Sequence, residues 1–406
     1  MNKEERIKHI LTYAEKNVDF YRNMNSSNKI SLDINSFPII EKEQIINNLR
    51  KFMSDEYVKE VEKNNIIRRR TSGTTGKSLN VLWSTIDDKY SMMSLWMLRK
   101  KYYGITPDNN MCYFFSESCN KENYTFSQNG KILGINKKML DLSIIDETYR
   151  VIDEFEPEWM IVQPSVAILL ANYIKKENKS FKTIKYIEFT GELLSNVLKN
   201  RFVDVFQCKI ANQYGCNEAN SIAYECPKGN LHCMENNVYV EVLDDEKRVV
   251  EKGEFGNIYI TSLHNHCMPF IRYGIGDYGR ISKCDCGCGS CSPIIELKKG
   301  RNCQFIKNRD GSFESVYALF IPIDTINDLF GEVVLQFQII QKDFDQFYLR
   351  IVLNEKFSGW KKAFEEMYID YLDISDKEKR EFVFFYENEL FSDSYNEKTA
   401  TFISEI

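Results

Sequence analysis

The sequence predicts an α/β protein. A large N-terminal region of layered α/β subdomains carries a small β-rich subdomain, and a small α+β domain follows it. Three observations predict this. Between Met111 and Gly215, apolar runs of strand length alternate with amphipathic helical segments, the signature of parallel α/β layers. Across residues 235–300 short strands succeed one another between turns, which suggests an appended β-rich part. Beyond Arg301 two strands, one helical face and a third strand make a separate α+β pattern. At 406 residues the chain also exceeds one comfortable core. We therefore expect residues 1–301 to form the large region, with its β-rich part near 226–300, and residues 302–406 the small domain.

Taken in order, residues 1–60 read as helical. Ile7, Ile10, Leu11 and Ala14 recur at helical spacing, and the aromatic pair Phe20-Tyr21 follows. Phe37-Pro38-Ile39-Ile40 breaks the pattern, and Ile45, Ile46 and Leu49 resume it. Ile66–Arg70 and Leu79–Trp83 are strand-like runs on either side of a Gly/Thr-rich loop. Tyr90–Tyr103 is helix-compatible, with Met93, Trp96, Met97 and Tyr103 apolar. Met111–Phe115 reads as a buried strand. Helix Glu147–Phe155, strand Trp159–Val162, a break at Pro164, helix Val166–Ile174, strand Ile184–Phe189 and helix Leu194–Phe206 complete the alternation. Val238–Val242, Gly256–Ile260 and Tyr278–Ile281 are the short strands of the β-rich part. Val333–Ile340 and Phe347–Val352 then flank a turn at Lys342–Asp345. Trp360, Phe364, Met367 and Tyr371 share one helical face, and Phe382–Tyr386 is the last strand.

Composition excludes several function classes. Hydrophobic residues at 43% and charged residues at 28% describe an ordinary folded protein without broad disorder. A net charge of −6 argues against general affinity for nucleic acid or anionic lipid. No apolar run reaches the roughly 18–20 residues that a membrane helix needs. Met1–Arg6 is charged and lacks an apolar leader core, so a cytoplasmic protein with no nucleic-acid and no membrane partner is expected. Of the twelve cysteines, Cys284, Cys286, Cys288 and Cys291 fall within eight residues. That is too close for a relaxed set of mutual disulfides, and a metal explains them better.

The first candidate for chemistry is Thr71-Ser72-Gly73-Thr74-Thr75-Gly76-Lys77. Its glycines let backbone N–H groups approach a ligand, its hydroxyls add donors and Lys77 adds a point charge, so it suits a polyphosphate. It is not the Walker loop, since only Thr74 and Thr75 separate the glycines and a strand, not a helix, follows. A polar surface hairpin is the plainer alternative. Arg68, Arg69 and Arg70 either assist a phosphate or form an exposed basic strand end.

Behind that loop stand Thr190-Gly191-Glu192, Asn212-Gln213-Tyr214-Gly215-Cys216-Asn217-Glu218, Pro269-Phe270-Ile271-Arg272-Tyr273-Gly274-Ile275-Gly276-Asp277, Gly300-Arg301 and Lys398. In this order and spacing the set resembles the adenylate-forming enzymes. Within them it is most similar to the phenylacetate–coenzyme A ligase and CapK-like branch, which also opens with an amphipathic helix and an aromatic pair such as Phe20-Tyr21. The resemblance spans essentially the whole chain. It implies ATP-dependent activation of a small carboxylic acid through an acyl-adenylate, with transfer to coenzyme A. It also implies a role for each motif. The loop 71–77 would hold the β- and γ-phosphates, and Glu218 would ligate Mg²⁺, a hard cation suited to carboxylate oxygen. Gly191, Glu192, Asn212, Tyr214 and Gly215 would line the nucleotide, with Tyr214 and the Gly191-Glu192 turn flanking adenine. Asp277 and Arg301 would hold the ribose, and Lys398 would neutralise charge at the α-phosphate. Taken singly, Glu218 reads as a solvated carboxylate, Asp277 as a turn residue and Lys398 as a surface lysine; their shared order lifts them. Asn217, Ile275, Cys303, Glu397 and Thr399-Ala400 depart from the family pattern.

The resemblance also implies a structural Zn²⁺ held by Cys226, His232, Cys284 and Cys286, with Cys233, Cys288 and Cys291 as surplus thiols able to substitute. An iron–sulfur cluster is the rival for so many thiols. For the acceptor, the alternatives to coenzyme A are an acyl carrier protein thiol and an amine. A nucleotide-binding scaffold that has lost catalysis is the alternative from another class.

Overall fold

The structure, a computed structural model, describes residues 2–24, 33–59, 66–70, 79–115, 122–140, 144–192, 194, 196–301, 305–310, 313–315, 317–330, 333–372, 374, 376–387 and 402–406. The chain divides into two compact units, one of residues 1–107 with 211–298 and the other of residues 108–210 with 299–406. Among the described residues no helix is long and apolar enough to cross a membrane.

In the first unit, helix Lys3–Asn17 starts at a capping box in which Asn2 and Glu5 satisfy each other's backbone N–H groups. Its apolar positions Ile10, Leu11 and Ala14 are buried as expected. Tyr21, from the aromatic pair, donates its hydroxyl to the Pro269 carbonyl, which docks the N-terminal segment on the Pro269–Asp277 stretch. Strands Ile66–Arg70 and Asn80–Ser84 pair antiparallel, with Arg70 opposite Asn80. The expected strand–loop–strand frame is therefore present, while the loop 71–77 itself lies outside the described residues. Helix Thr85–Tyr103 is capped by the Ser84 side chain and closes on Gly104 in the left-handed region, a cap that favours glycine. Its apolar residues do not define its inward face. Asp87, Ser91, Leu95 and Arg99 face inward, whereas Met93 and Met97 are 53% and 59% exposed. Polar groups on the inward face are held by partners: Asp87 by His266, and Ser91 by Asn220 and Asn237.

The β-rich expectation is met by a run of neighbouring strands in the order Val238–Leu243, Gly256–Ser262, Tyr273–Ser282, Ile294–Arg301, Leu231–Cys233, Ala223–Glu225 and Lys209–Tyr214. The third strand begins five residues earlier than expected, because Gly274 and Gly276 hide its pattern in sequence. Its register against Gly256–Ser262 jumps between Asn257↔Tyr278 and Tyr259↔Gly274, a bulge with Gly276 at φ +82°. The core of this unit runs through Leu11, Tyr21, Trp83, Ile260, Phe270 and Tyr273.

In the second unit, strands Tyr186–Thr190, Trp159–Val162, Met111–Phe115 and Ile132–Asn136 lie parallel, and Tyr124–Ser127 closes the edge antiparallel. Helix Pro164–Lys176 connects the neighbouring strands Trp159–Val162 and Tyr186–Thr190, and helix Ile145–Phe155 connects Ile132–Asn136 to Trp159–Val162 across the intervening Met111–Phe115, the parallel α/β layering that the alternation predicted. The C-terminal residues form a sheet in the order Glu381–Tyr386, Gln346–Leu353, Val334–Asp343 and Phe402–Ser404, carrying helices Tyr317–Phe330 and Lys361–Tyr371. Helix Tyr317–Phe330 and strand Phe402–Ser404 are additions to the expected ββαβ pattern. Its first half, Tyr317–Ile323, is an unbroken apolar run that contains Pro322, so the sequence there shows neither a helical period nor a favourable helix interior. Its Leu319, Ile323 and Ile326 join one apolar core with Met139, Leu170 and Phe189.

Candidate active site and metal centre

The two motifs of the first unit are cross-linked reciprocally. Tyr214 donates its hydroxyl to Asp277 Oδ2 at 2.7 Å, and Tyr273 donates to Glu218 Oε1 at 3.0 Å. Each stretch thus lends a tyrosine to the other's carboxylate. Local backbone makes this geometry reachable. A Cβ on Gly215 would lie 1.9 Å from the Asn220 carbonyl oxygen, so only glycine lets the segment after Tyr214 fold back. The bulge at Gly276 re-aims the Asp277 carboxylate out of simple strand alternation, a use to which bulges near functional sites are put.

Glu218 is only 5% exposed. Burial pushes its carboxyl above the usual range, while hydrogen bonds from its own backbone, Tyr273 and Cys216 oppose that rise. Its loop is fixed from below. Trp83 Nε1 donates to the Asn217 carbonyl at 2.8 Å, and Arg69 donates to Asn220 Oδ1 at 2.5 Å while pairing with Asp88 at 2.8 Å. Arg69 is therefore a clamp on the 217–220 loop. The Asn212 backbone N–H donates to Glu225 Oε2 at 2.7 Å, tying the strand before Tyr214 to the strand that leads into Cys226.

Tyr273 and Arg272 are the residues that sequence reasoning carried only as members of a motif. Arg272 sits at φ 49° and makes a two-pronged ion pair with Glu241, at 3.2 Å from Nε and 3.0 Å from Nη2. Its other nitrogen donates to the Phe37 carbonyl at 3.2 Å. Its backbone brackets Ile40, which accepts from Gly274 and donates to Arg272. Arg272 thus holds the strand start from which Tyr273 and Asp277 project. Ile275, where the family pattern has a hydroxyl, is half-buried against the apolar core.

In the second unit, Thr190-Gly191-Glu192 follows strand Tyr186–Thr190, and Gly191 turns at φ +82° beside Gln163. Against this turn opens a cavity of about 450 Å³, lined among others by Met111, Tyr113, Ile132, Ile161, Gln163 and Thr190. It runs over one face of the parallel sheet from Met111 and Ile132, which begin their strands, to Gln163 and Thr190 at the carboxyl ends of theirs, where open α/β folds bind ligands. Thr71–Lys77 and Lys398 lie outside the described residues, as does the Arg301 side chain, although strand Ile294–Arg301 ends on that residue.

Four side chains able to hold a metal gather at the hairpin of strands Ala223–Glu225 and Leu231–Cys233, beside the cysteine-rich loop. Cys226 and His232 flank a hairpin whose turn uses Gly229 at φ +83°, and His232 sits opposite Ile294, next to the cysteine-rich loop. The ligand atoms of Cys226, His232, Cys286 and Cys288 all lie within 4.8 Å of one another. Tetrahedral zinc with Zn–S near 2.3 Å spaces thiolates about 3.8 Å apart, so this donor set fits the ion. His232 Nδ1 lies 2.9 Å from the Ser292 carbonyl, and Nε2 faces Cys286 and Cys288 at 3.1 and 3.3 Å. A carbonyl acceptor fixes the proton on Nδ1 and leaves the Nε2 lone pair for a metal. The gathered set differs from the expected one at one position. Cys288 takes the place given to Cys284, whose Sγ turns to the Ser290 carbonyl at 2.7 Å. Gly287 and Gly289, both at positive φ, let the chain reverse and bring Cys288 inward. Cys233, next to His232 on the strand, is a core thiol that burial pushes up to about 12.

Residues 3–266 match the sequence model of the AMP-binding enzymes. The chain is 24% identical over 374 residues to protein CapK of Staphylococcus aureus, covering 86% of this chain and 77% of that protein. It is 23% identical over 369 residues to the phenylacetate–coenzyme A ligase of Thermus thermophilus, covering 87% and 81%. Its fold matches 2-hydroxyisobutyryl-CoA ligase in the postadenylation state with 2-HIB-AMP, at a TM-score of 0.65 and 15% identity over 99% of this chain and 89% of that one. The same ligase with 2-HIB-AMP and CoA in the thioesterification state matches at 0.61 and 17% identity, over 99% and 89%.

Proposed function

Because this chain belongs to the AMP-binding enzyme family, we propose that it activates a small carboxylic acid with ATP and passes the acyl group to coenzyme A. In the first half-reaction a carboxylate oxygen attacks the α-phosphorus, a P–O bond forms and pyrophosphate leaves. In the second the thiol attacks the acyl carbon and AMP leaves. Charge builds on phosphoryl oxygens in the first step, so the protein's contribution is positioned donors and counter-charge. The observation that carries this reading is the reciprocal bonding of Tyr214 to Asp277 and of Tyr273 to Glu218. It presets two carboxylates for different tasks.

In this account Asp277 accepts hydrogen bonds from the ribose hydroxyls while Tyr214 orients it and stacks at adenine. Gly191-Glu192, Asn212 and Gly215 frame the base, and Arg301 supports the ribose. The loop Thr71-Ser72-Gly73-Thr74-Thr75-Gly76-Lys77 holds the terminal phosphates, and Lys398 meets the α-phosphate. Mg²⁺, when bound through Glu218, offsets phosphate charge. Zn²⁺, when bound by Cys226, His232, Cys286 and Cys288, staples the cysteine-rich loop to the adjoining hairpin. Residues 302–406 carry Lys398 and reorient about 301–303 between half-reactions, a hinge motion absorbed by few residues. The cavity beside Gly191 receives the body of the acid. Pyrophosphate release across a panel of aryl, aliphatic and amino acids tests the activity. Dependence of thioester formation on coenzyme A, against a purified acyl carrier protein or an amine, identifies the acceptor.

A further inference from the structure

Three neighbouring strands of the second unit place Gly134, Tyr113 and Ile161 side by side in one row of the sheet. Tyr113 and Ile161 line the 450 Å³ cavity; Gly134 does not. A Cβ built on Gly134 would lie 2.7 Å from a Tyr113 ring carbon and 2.4 Å from Thr125 Oγ1, closer than real side chains approach. The phenol ring therefore leans away from Ile161 and occupies the space where a residue-134 side chain would stand. The threonine hydroxyl can rotate about its single χ1 to relieve its own clash. Within that row, displacement away from Gly134 carries the ring toward Ile161, its neighbour on the other side. The glycine is a parking place for the ring, and the space over Ile161 is what parking it leaves open.

The lining carries a second message. Among its described residues no side chain is charged: Met111, Ile132 and Ile161 are apolar, and Tyr113, Gln163 and Thr190 offer neutral hydrogen-bonding groups. Burying a second charge or several hydroxyls against such walls would leave polar groups unpaired, which selects strongly against them. The volume falls within the roughly 300–1,000 Å³ of small-molecule sites.

We infer that Gly134 sets the size of the acid pocket by parking Tyr113, and that the pocket takes a monocarboxylic acid whose body carries no second charge. This rests on the adenylating function proposed above. Gly134→Ala should drive the ring over Ile161 and close the pocket to ring-bearing acids. Tyr113→Ala should enlarge it, and the double variant should behave as Tyr113→Ala does, because no ring remains to be displaced.

The test is acid-dependent pyrophosphate release with benzoate and phenylacetate (one ring), naphthoate (two rings), propionate, succinate and alanine. Urea unfolding of each variant provides the control for folding. Wild type is expected to favour benzoate, phenylacetate and propionate over succinate and alanine. Loss or gain of a methylene-sized volume changes selectivity roughly 10–200-fold, so Gly134→Ala should lower kcat/KM for the one-ring acids at least about tenfold relative to propionate. Tyr113→Ala should raise naphthoate relative to benzoate, and the double variant should regain that ratio, the non-additivity expected of touching groups. Should Gly134→Ala fail to fold, the Tyr113→Ala ratio and the recovery of a folded double variant decide the matter. Wild-type activity that prefers succinate or alanine, or variants that keep the wild-type rank order, would overturn this inference and leave the adenylating function standing. Absence of pyrophosphate with every acid would instead remove the functional reading beneath it.

Discussion

Replacing Tyr273 by Phe removes one oxygen from the centre of the site. The hydroxyl donates at 3.0 Å to Glu218, a carboxylate only 5% exposed and already strained toward protonation by burial. The ring itself packs edge-on against Phe270 with centroids 5.0 Å apart, and phenylalanine keeps that contact, so the fold should persist. A hydrogen bond to a charged group contributes about 1.5–3 kcal/mol net. If Glu218 must be ionised and held still for adenylation, that loss should appear in the transition state. At about 1.36 kcal/mol per tenfold, it amounts to a fall of roughly 10- to 150-fold in kcat/KM. The assay is acid-dependent exchange of pyrophosphate into ATP, repeated across Mg²⁺ concentrations, with the half-saturating Mg²⁺ expected to rise. The partner substitution separates the two motifs. Tyr214→Phe loses the bond to Asp277 and should act mainly on the KM for ATP, because ribose binding precedes chemistry. Exchange within about twofold of wild type for Tyr273→Phe, at unchanged Mg²⁺ requirement, would refute the positioning of Glu218 by Tyr273.

Three other outcomes follow from the same geometry. Glu241→Gln leaves the Arg272 guanidinium buried without its counter-charge, both side chains being under 10% exposed, and should cost about 3–5 kcal/mol in urea unfolding. Cys288→Ser should abolish stoichiometric zinc by elemental analysis while Cys284→Ser keeps it, since only Cys288 joins the group within 4.8 Å. The Asp146 carboxyl is held down at about 2 by Lys179 first and then by the Tyr173 hydroxyl. Its folded pKa is depressed, so its contribution is present above the ordinary value of 3.8 and disappears as pH falls through about 2. Asp146→Asn should therefore lower the urea midpoint near neutrality and flatten its fall over that acid window; an unchanged pH profile would count against the pairing.

What the sequence made legible was pattern, and what it hid was partnership. The strands Met111–Phe115 and Trp159–Val162 stand where apolar runs predicted them, although only one face of the first is fully buried, its Met111 and Tyr113 lining the cavity on the other. Strand Tyr273–Ser282 was visible only from Tyr278 onward, since its glycines and bulge break the period that marks a strand. Helix Thr85–Tyr103 turns its apolar Met93 and Met97 outward, so apolar residues in its sequence do not mark its buried face. The inward side carries Asp87, Ser91 and Arg99, and Asp87 and Ser91 are held by tertiary partners that a local window cannot see. The ordered motifs identified Glu218 and Asp277, yet nothing in them said that Tyr273 serves the first and Tyr214 the second. The choice of Cys288 over Cys284 likewise depends on two positive-φ glycines that decide which thiol turns inward.

The most direct test is to incubate the intact protein with ATP, Mg²⁺, coenzyme A and a panel of monocarboxylic acids that carry no second charge, then quantify every phosphate product. The account predicts AMP and pyrophosphate in equal amounts, strictly dependent on the acid, with one thioester formed per AMP released. ATP bound but never cleaved with any acid, or cleaved to ADP and phosphate without regard to acid, would contradict it.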